Sequence, residues 1–340
     1  MGDLDALLVT SPPSVRWLTG LAASRVAVLL RRGGGEGDVL ATDGRYAEEA
    51  AQTLDVPVVA DRTDAWLAER VDAGERLGIE DHIVTWARVR ALGSRLPEVA
   101  LVPAGALVEA QRRRKDPGEV DLLARACRIT AEALEETFAQ LAPGVTEREV
   151  ARAVEGLLRD GGADDRAFET IVASGANGSR PHHRPGSRRL EAGDLVTIDA
   201  GALVGGYHAD MTRTVALGDP GPRLEEVYRA VQRAQKAGVD ALTAGVSAGE
   251  VDRTTRDILV DAGLGDAIAH PTGHGVGLEI HEQPILREGE VATLLDGAVV
   301  TVEPGAYLPG LGGVRIEDTV AVTEQGPRVL TRTPTDLRVL

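Results

Sequence analysis

The sequence predicts a two-domain chain of the α/β (α+β) class, and three observations carry that reading. Over roughly the first hundred residues, short apolar runs alternate with helical patterns. A polar, basic segment, Gln111 to Gly118, then interrupts both. Beyond it two helices lead into strands, and the same helix–helix–sheet order occurs a second time. The repeat suggests an internal structural duplication, although the two blocks share little sequence. At 340 residues the chain has the length of about two domains. The boundaries read as 1–112 for the first domain, 113–117 for a linker and 118–340 for the second.

In order, Ala6 to Val9 is a short buried strand, broken at Ser11-Pro12-Pro13 and followed by Val15 to Leu18 and Gly20. Val26 to Leu30 is the next strand, Arg31 to Asp38 a glycine-rich turn, and Val39 to Thr42 a third strand closed by Asp43-Gly44. Arg45 to Leu54 reads as an amphipathic helix. Val56 to Val59 is apolar, Asp64 to Val71 helical, Leu77 to Ile79 a strand, Thr85 to Leu92 a helix and Leu101-Val102 a last strand. The only histidine here is His82, and no carboxylates cluster in apolar surroundings. This domain has no chemistry of its own in the sequence.

Arg112-Arg113-Arg114-Lys115 reads as a solvated charge run. Asp116 caps a helix with Pro117 in its first turn. The helix runs to about Leu141, with Val120, Leu123, Ala124, Cys127, Ala131 and Leu134 on one face. Thr146 and Glu149 form a capping box for a second helix, to about Arg159. Phe168 to Ala173 returns as a strand. After a hairpin, Leu224 to Ala244 and Ala248 to Ala262 are helices, and sheet continues to the end.

Composition narrows the function. Lys and Arg number 37 against 53 Asp and Glu, a formal charge of −16. That balance disfavours nucleic acid and anionic membranes as partners. The lone Cys127 permits no intrachain disulfide and fits a reducing, cytoplasmic compartment; its helical setting makes it a small core residue. The N-terminus lacks a basic region and a long apolar run, so no signal peptide is expected. No apolar run reaches membrane-spanning length.

The chemistry centres on Val196 to Val215, VTIDAGALVGGYHADMTRTV, a β-hairpin turning at Gly205-Gly206. Each arm carries an aspartate, Asp199 and Asp210. In adjacent apolar strands these acids are costly to bury and repel each other. Turn or capping aspartates would explain each singly. Six of the seven histidines lie beyond the linker. Among them, His274 sits between Gly273, Gly275 and Gly277, where a backbone can pass close to something bound. Glu303 ends the strand Ala298 to Val302, and Glu317 lies in Gly312 to Asp318. Asp199, Asp210, His274, Glu303 and Glu317 together make a suitable shell for two divalent metals. Carboxylates can bridge ions ~3.5–4 Å apart. Oxygen-rich ligation with one imidazole suits Mn²⁺, Co²⁺ or Fe²⁺, and accommodates Zn²⁺. A hydroxide bridging such ions can attack an amide carbonyl while the metals take up the oxyanion charge.

Several motifs bear a family resemblance: Ile198-Asp199-Ala200-Gly201, Ala209 to Thr214, His270 to Gly277, Val302 to Gly305 and Arg315 to Asp318. In order and spacing the chain resembles the M24 metallopeptidases of the pita-bread fold, of the prolidase and aminopeptidase P type. Asp5 to Val9, Arg16 to Gly20 and Thr42 to Tyr46 resemble the creatinase-like N-terminal domain of that group, and the linker Lys115 to Glu119 fits it too. The resemblance implies hydrolysis of the Xaa-Pro bond, in dipeptides or at the N-terminus of short peptides. It implies His182, His270, His281 and Glu303 as catalytic, Glu303 also accepting a proton from the attacking water. It implies His182, His281, Tyr307 and Arg315 near the substrate. His183 stays open between surface and site, and His208 reads as a turn histidine. Two metal ions per subunit, Mn²⁺ first, and a homodimer are the expected state. A creatinase-like amidinohydrolase, which works without metals, and a non-enzymatic binding protein on the same fold are the rivals. The complete set of five ligands argues against both.

Overall fold

The apolar run Ala6–Val9 forms β1, and all four side chains are buried. Alternation sends Ala6 and Leu8 to one face of the sheet and Leu7 and Val9 to the other, each into its own apolar cluster. The computed structural model describes residues 2–61 and 63–340. It divides into two compact units that part between Arg112 and Arg113.

In the first unit β1 is followed by α1 (Pro12–Thr19), β2 (Val26–Arg31), β3 (Val39–Thr42), α2 (Ala47–Thr53), β4 (Val58–Ala60), β5 (Arg76–Ile79), α3 (Trp86–Arg95), β6 (Ala100–Pro103) and α4 (Leu107–Arg112). The strands form one mixed sheet in the order β4-β3-β2-β1-β5-β6. β1 pairs antiparallel with β2 and parallel with β5. Two local expectations change, and one helix appears that the sequence reading did not give. Ser11-Pro12-Pro13 opens a helix: the prolines occupy its first turn, where no N–H partner is needed, so Val15 to Leu18 is helical. The Asp64–Val71 helix shrinks to a 3₁₀ segment, Ala65–Glu69. The segment just before the linker is helical, as α4.

The second unit opens with α5 (Pro117–Phe138), whose Asp116 and Glu119 form a full capping box. α6 (Glu147–Asp160) has the same device in Thr146 and Glu149. Then come β7 (Asp165–Arg166), β8 (Ile171–Ser174), β9 (Leu195–Ala200), β10 (Ala202–Val204), β11 (Tyr207–His208) and β12 (Met211–Ala216). α7 (Pro222–Asp240) and α8 (Ala248–Asp261) open the second half. β13 (Gly273–Gly275), β14 (Glu282–Leu286), β15 (Val299–Val302), β16 (Gly305–Leu308), β17 (Gly312–Arg315), β18 (Asp318–Thr323) and β19 (Gly326–Val329) complete it. Each half thus sets two helices against antiparallel sheet, β12-β9-β8 in one and β14-β13-β15-β18-β19 in the other. This is the pita-bread architecture.

The basic run does not behave as one solvated patch. Arg112 is buried and donates to Ser14 Oγ at 3.1 Å. Lys115 is buried and pairs with Glu282 at 3.0 Å. Cys127 is fully buried, and burial pushes its thiol up, away from nucleophile chemistry. Among the described residues no helix is long and apolar enough to cross a membrane.

Candidate active site

The ladder of β9 and β12 sets Ala200 opposite Met211 and Asp199 opposite Thr212. Asp199 and Thr212 therefore share a face, and Asp210, two residues before Thr212, lies on that face as well. β15 and β18 repeat the device. Val302 pairs with Asp318, so Glu303 and Glu317 face each other one step beyond the ladder's end. The backbone joins the halves: Glu317 N–H donates to the Thr212 carbonyl at 3.1 Å, and Thr319 Oγ1 to the Asp210 carbonyl at 2.7 Å. Buried Arg213 clamps the ends from behind, donating to Asp318 Oδ1 at 2.7 Å and to the Glu317 carbonyl.

The result is a knot of acids with one imidazole. Ligand atoms of Asp210, His274 and Glu317 lie within 4.8 Å of one another. His274 Nε2 is 3.2 Å from Glu303 Oε1 and 3.6 Å from Asp210 Oδ2. Its Nδ1–H donates to the Gly275 carbonyl at 3.0 Å, which turns Nε2 toward the acids. Asp199 Oδ2 accepts from Arg315 Nη2 at 2.6 Å, and Glu317 Oε2 accepts from Thr212 Oγ1 at 2.6 Å. The other oxygens, Asp199 Oδ1 and Glu317 Oε1, are buried with no hydrogen-bond partner among the described residues.

Electrostatics follow from this crowding. Burial, then the charges of Glu317, Asp199 and Glu303, pushes Asp210 well above the carboxylate range. Burial and the charges of Glu303 and Asp199 do the same to Glu317. Asp199 is raised by burial, against the opposing pull of Arg315. Glu303 goes the other way: its hydrogen bond and charge pairing with His274 outweigh burial and hold it low. Reciprocally, burial would lower His274, but its bond to Glu303 outweighs this and raises it. Buried acids with orphaned oxygens and one aimed imidazole fit divalent cations.

A cavity of about 510 Å³ opens above this knot, within the usual range for small-molecule sites. His182, His270, His281 and Arg315 line it, with Phe168, Ile171, Ile280 and Ile285 as apolar wall. The His281 ring meets the His274 ring edge-on, centroids 4.4 Å apart. Burial and the neighbouring His274 lower its basicity. The stretch before His281, residues 277–280, is a series of bends. His270 Nδ1–H donates to the Pro271 carbonyl at 2.8 Å, so its Nε2 accepts from the Tyr307 hydroxyl at 2.7 Å. Tyr307 is buried and does not line the cavity; its oxygen also accepts from Arg315 Nη1 at 3.0 Å. Arg315 further donates to Thr212 Oγ1 and to the Pro181 carbonyl. Tyr307 thus braces the wall from behind, and Arg315 reaches from it to the cavity surface. His208 lies in β11 and bonds the Gly277 carbonyl through Nδ1.

The glycines around His274 have a different role from the one expected. A Cβ at Gly273 would overlap the Thr301 carbonyl, and one at Gly275 the Gln283 carbonyl. They let neighbouring backbones close up. Sequence reasoning also missed Thr301, whose Oγ1–H donates to Glu303 at 3.0 Å while its oxygen accepts from His274 N–H at 3.0 Å. A threonine inside a β-branched strand gives no signal of that. Glu147, buried at the start of α6 and bonded to His183 at 2.8 Å, was missed for a related reason: an acid in a helix's first turn reads as a surface charge.

Fold and site together define a metal-dependent hydrolase with a creatinase-type N-terminal domain. Residues 121–324 match metallopeptidase family M24, and residues 2–114 match the creatinase/prolidase N-terminal domain. The chain belongs to metallopeptidase family M24. It is 36% identical to the Xaa-Pro dipeptidase of Pyrococcus furiosus over 98% of this chain and 95% of that one. The structure of an Xaa-Pro dipeptidase from Bacillus anthracis superposes with a TM-score of 0.94 at 36% identity, covering 99% of this chain and 95% of that one. An X-Pro aminopeptidase from Thermotoga maritima gives 0.90 at 32% identity, covering 99% and 98%.

Proposed function

We propose that this protein is a metal-dependent exopeptidase that cleaves the bond before proline, in dipeptides or at the N-terminus of short peptides. The observation that carries the reading is the buried knot of like-charged carboxylates at the floor of a largely apolar cavity. Such a knot is stable in ionised form only with cations in it. Full-length relatives named as Xaa-Pro dipeptidases supply the substrate class.

An Xaa-Pro bond is a tertiary amide without N–H. Enzymes that grip that N–H fail on it, and shape must do the selecting. Phe168, Ile171, Ile280 and Ile285 offer the pyrrolidine ring an apolar seat. Asp199, Asp210, His274, Glu303 and Glu317 would hold two divalent ions, Mn²⁺ first. When bound, the ions supply Lewis acidity toward the scissile carbonyl and acidify a water. Glu303, oriented by Thr301, takes the proton from the attacking water. His281 passes a proton to the leaving proline nitrogen. His182 holds the substrate, and His270 faces the carbonyl with its tautomer set by Tyr307. Arg315 aims Asp199 and favours its charged form against burial. The lone buried thiol supports a cytoplasmic setting. Homodimer assembly rests on the family resemblance and is checked by light scattering. The test of function is a panel of Xaa-Pro dipeptides and Xaa-Pro-Yaa tripeptides with added Mn²⁺, Co²⁺ or Zn²⁺. Turnover confined to Xaa-Pro bonds and abolished by chelation is expected; metal-independent turnover or none would overturn the reading.

A further inference from the structure

Glu147, the first residue of α6, is fully buried and collects five donors. Oε1 accepts from Ser174 N–H at 2.9 Å, Ser174 Oγ at 2.8 Å and Asn177 Nδ2 at 2.9 Å. Oε2 accepts from His183 Nε2 at 2.8 Å and Gly186 N–H at 3.2 Å. The backbone adds two stitches: Glu147 N–H donates to the Arg188 carbonyl and Arg148 N–H to the Gly186 carbonyl. One carboxylate thus ties the start of a helix to β8 and to the 180–186 loop.

That loop carries His182 into the cavity. His182 itself makes no hydrogen bond among the described residues. Its position is set by its neighbours. The Pro181 carbonyl before it accepts from Arg315 Nη1 at 3.3 Å, and the His183 imidazole after it is held by Glu147. A carboxylate can only accept, so His183 Nε2 carries the proton and is spent on Glu147. His183 therefore anchors the loop through Nε2, while its ring also lines the cavity beside His182.

We propose that Glu147 is a positioning residue for substrate binding: through His183 and Gly186 it fixes the loop so that His182 meets the substrate at a set distance. This rests on the Xaa-Pro hydrolase reading above. Glu147→Gln keeps the shape but puts an amide donor where one side of the carboxylate accepted, so the Gly186 N–H or the Ser174–Asn177 group loses its partner. A shifted loop moves His182 off its contact with the substrate, a loss of binding shared by ground state and transition state.

The test compares wild type, Glu147→Gln, His183→Ala and the double variant on an Xaa-Pro dipeptide, with metal content and thermal midpoint measured in parallel. KM is expected to rise about tenfold in each single variant, with kcat within about threefold and metal content unchanged, the signature of lost uniform binding. The double variant should be no worse than the worse single one, because both changes remove the same tether. Should Glu147→Gln fail to fold, His183→Ala, a half-buried loop substitution, carries the same KM expectation. Wild-type KM in folded His183→Ala, or additive losses in the double variant, would overturn the inference. An inactive wild type would instead overturn the reading it rests on.

Discussion

For a single side chain in the acid knot, what it gives the site and what it costs the fold have opposite signs. Asp210 is buried beside Glu317, Asp199 and Glu303, which push its ionisation upward. Without metal, that crowding works against the folded state. Asp210→Asn should therefore lose most of its metal and at least about 10³-fold of kcat/KM, yet raise the thermal midpoint of the chelated protein by about 2–4 °C. Metal analysis and calorimetry check both halves, and a fall in the chelated midpoint would contradict the electrostatic account. The two paired histidine rings separate by chemistry. His274 aims Nε2 into the acids, so His274→Ala should lose metal affinity, with part of the rate restored by excess Mn²⁺. His281 lines the cavity instead, so His281→Ala should keep its metals and lose about 10²–10⁴-fold in rate. The opposite pattern would reverse the assignment. Glu147 gives the clearest acid-stability signature. Burial would raise its pKa, but the hydrogen bonds from Asn177, His183 and Ser174 outweigh it, and the folded value lies below the unfolded one. Its stabilisation is thus full above the ordinary glutamate range and is lost as pH falls through the lowered value. Glu147→Gln should flatten that part of the stability–pH curve while lowering stability at pH 7, measured by denaturant titration from pH 3 to 7.

At the scale of elements, two antiparallel pairs do the same work. β9 with β12 presents Asp199 and Asp210; β15 and β18 end where Glu303 and Glu317 begin. Gly201 makes the first pair close enough. A Cβ there would overlap the Ala209 carbonyl oxygen, and the chain bends at this point so that Ala202 N–H reaches Thr130 Oγ1 at 2.9 Å. Gly201→Ala should cost about 3 kcal/mol or more, the upper end of overpacking, and displace both aspartates. Chemical denaturation and metal content check it; a variant within about 0.5 kcal/mol of wild type would show that the backbones separate easily. The hairpin is legible in sequence because its arms are β-branched runs and the glycine pair at its tip names the turn. The role of Gly201 is not, since a close approach depends on Ala209 and Thr130. Pro12-Pro13 is ambiguous for a local reason: the same residues end a strand or start a helix, and only the packing of Val15 to Leu18 behind them decides.

For the whole molecule, the sequence separates a region of strand–helix alternation from one with repeated helix–helix–sheet blocks, because periodicity is a local property. Partners across long separations are not local. Lys115 looks like part of a solvated run, yet its partner Glu282 lies 167 residues away. Glu147 likewise takes its meaning from residues 27 to 39 positions on. The same separation of scales bears on how labour is divided between the units. All five proposed ligands and every residue lining the cavity come from residues beyond 112. Among the described residues of the first unit no group of three ligand-type side chains converges. Its apolar clusters are built from its own strands and helices, and those of the second unit likewise. Chemistry should then reside wholly in the second unit, with the first shaping specificity or assembly. Residues 113–340 expressed alone, if soluble, should bind the same number of metal ions as the full chain, because the ligand strands and Arg213 behind them are all present. Discrimination against longer peptides or the oligomeric state should change. Residues 2–112 alone should bind no catalytic metal and hydrolyse nothing. Elemental analysis, light scattering and the peptide panel on both halves decide it. Peptidase activity in the first unit, or a folded second unit that cannot take up metal, would mean that the site needs residues from outside the half that contains it.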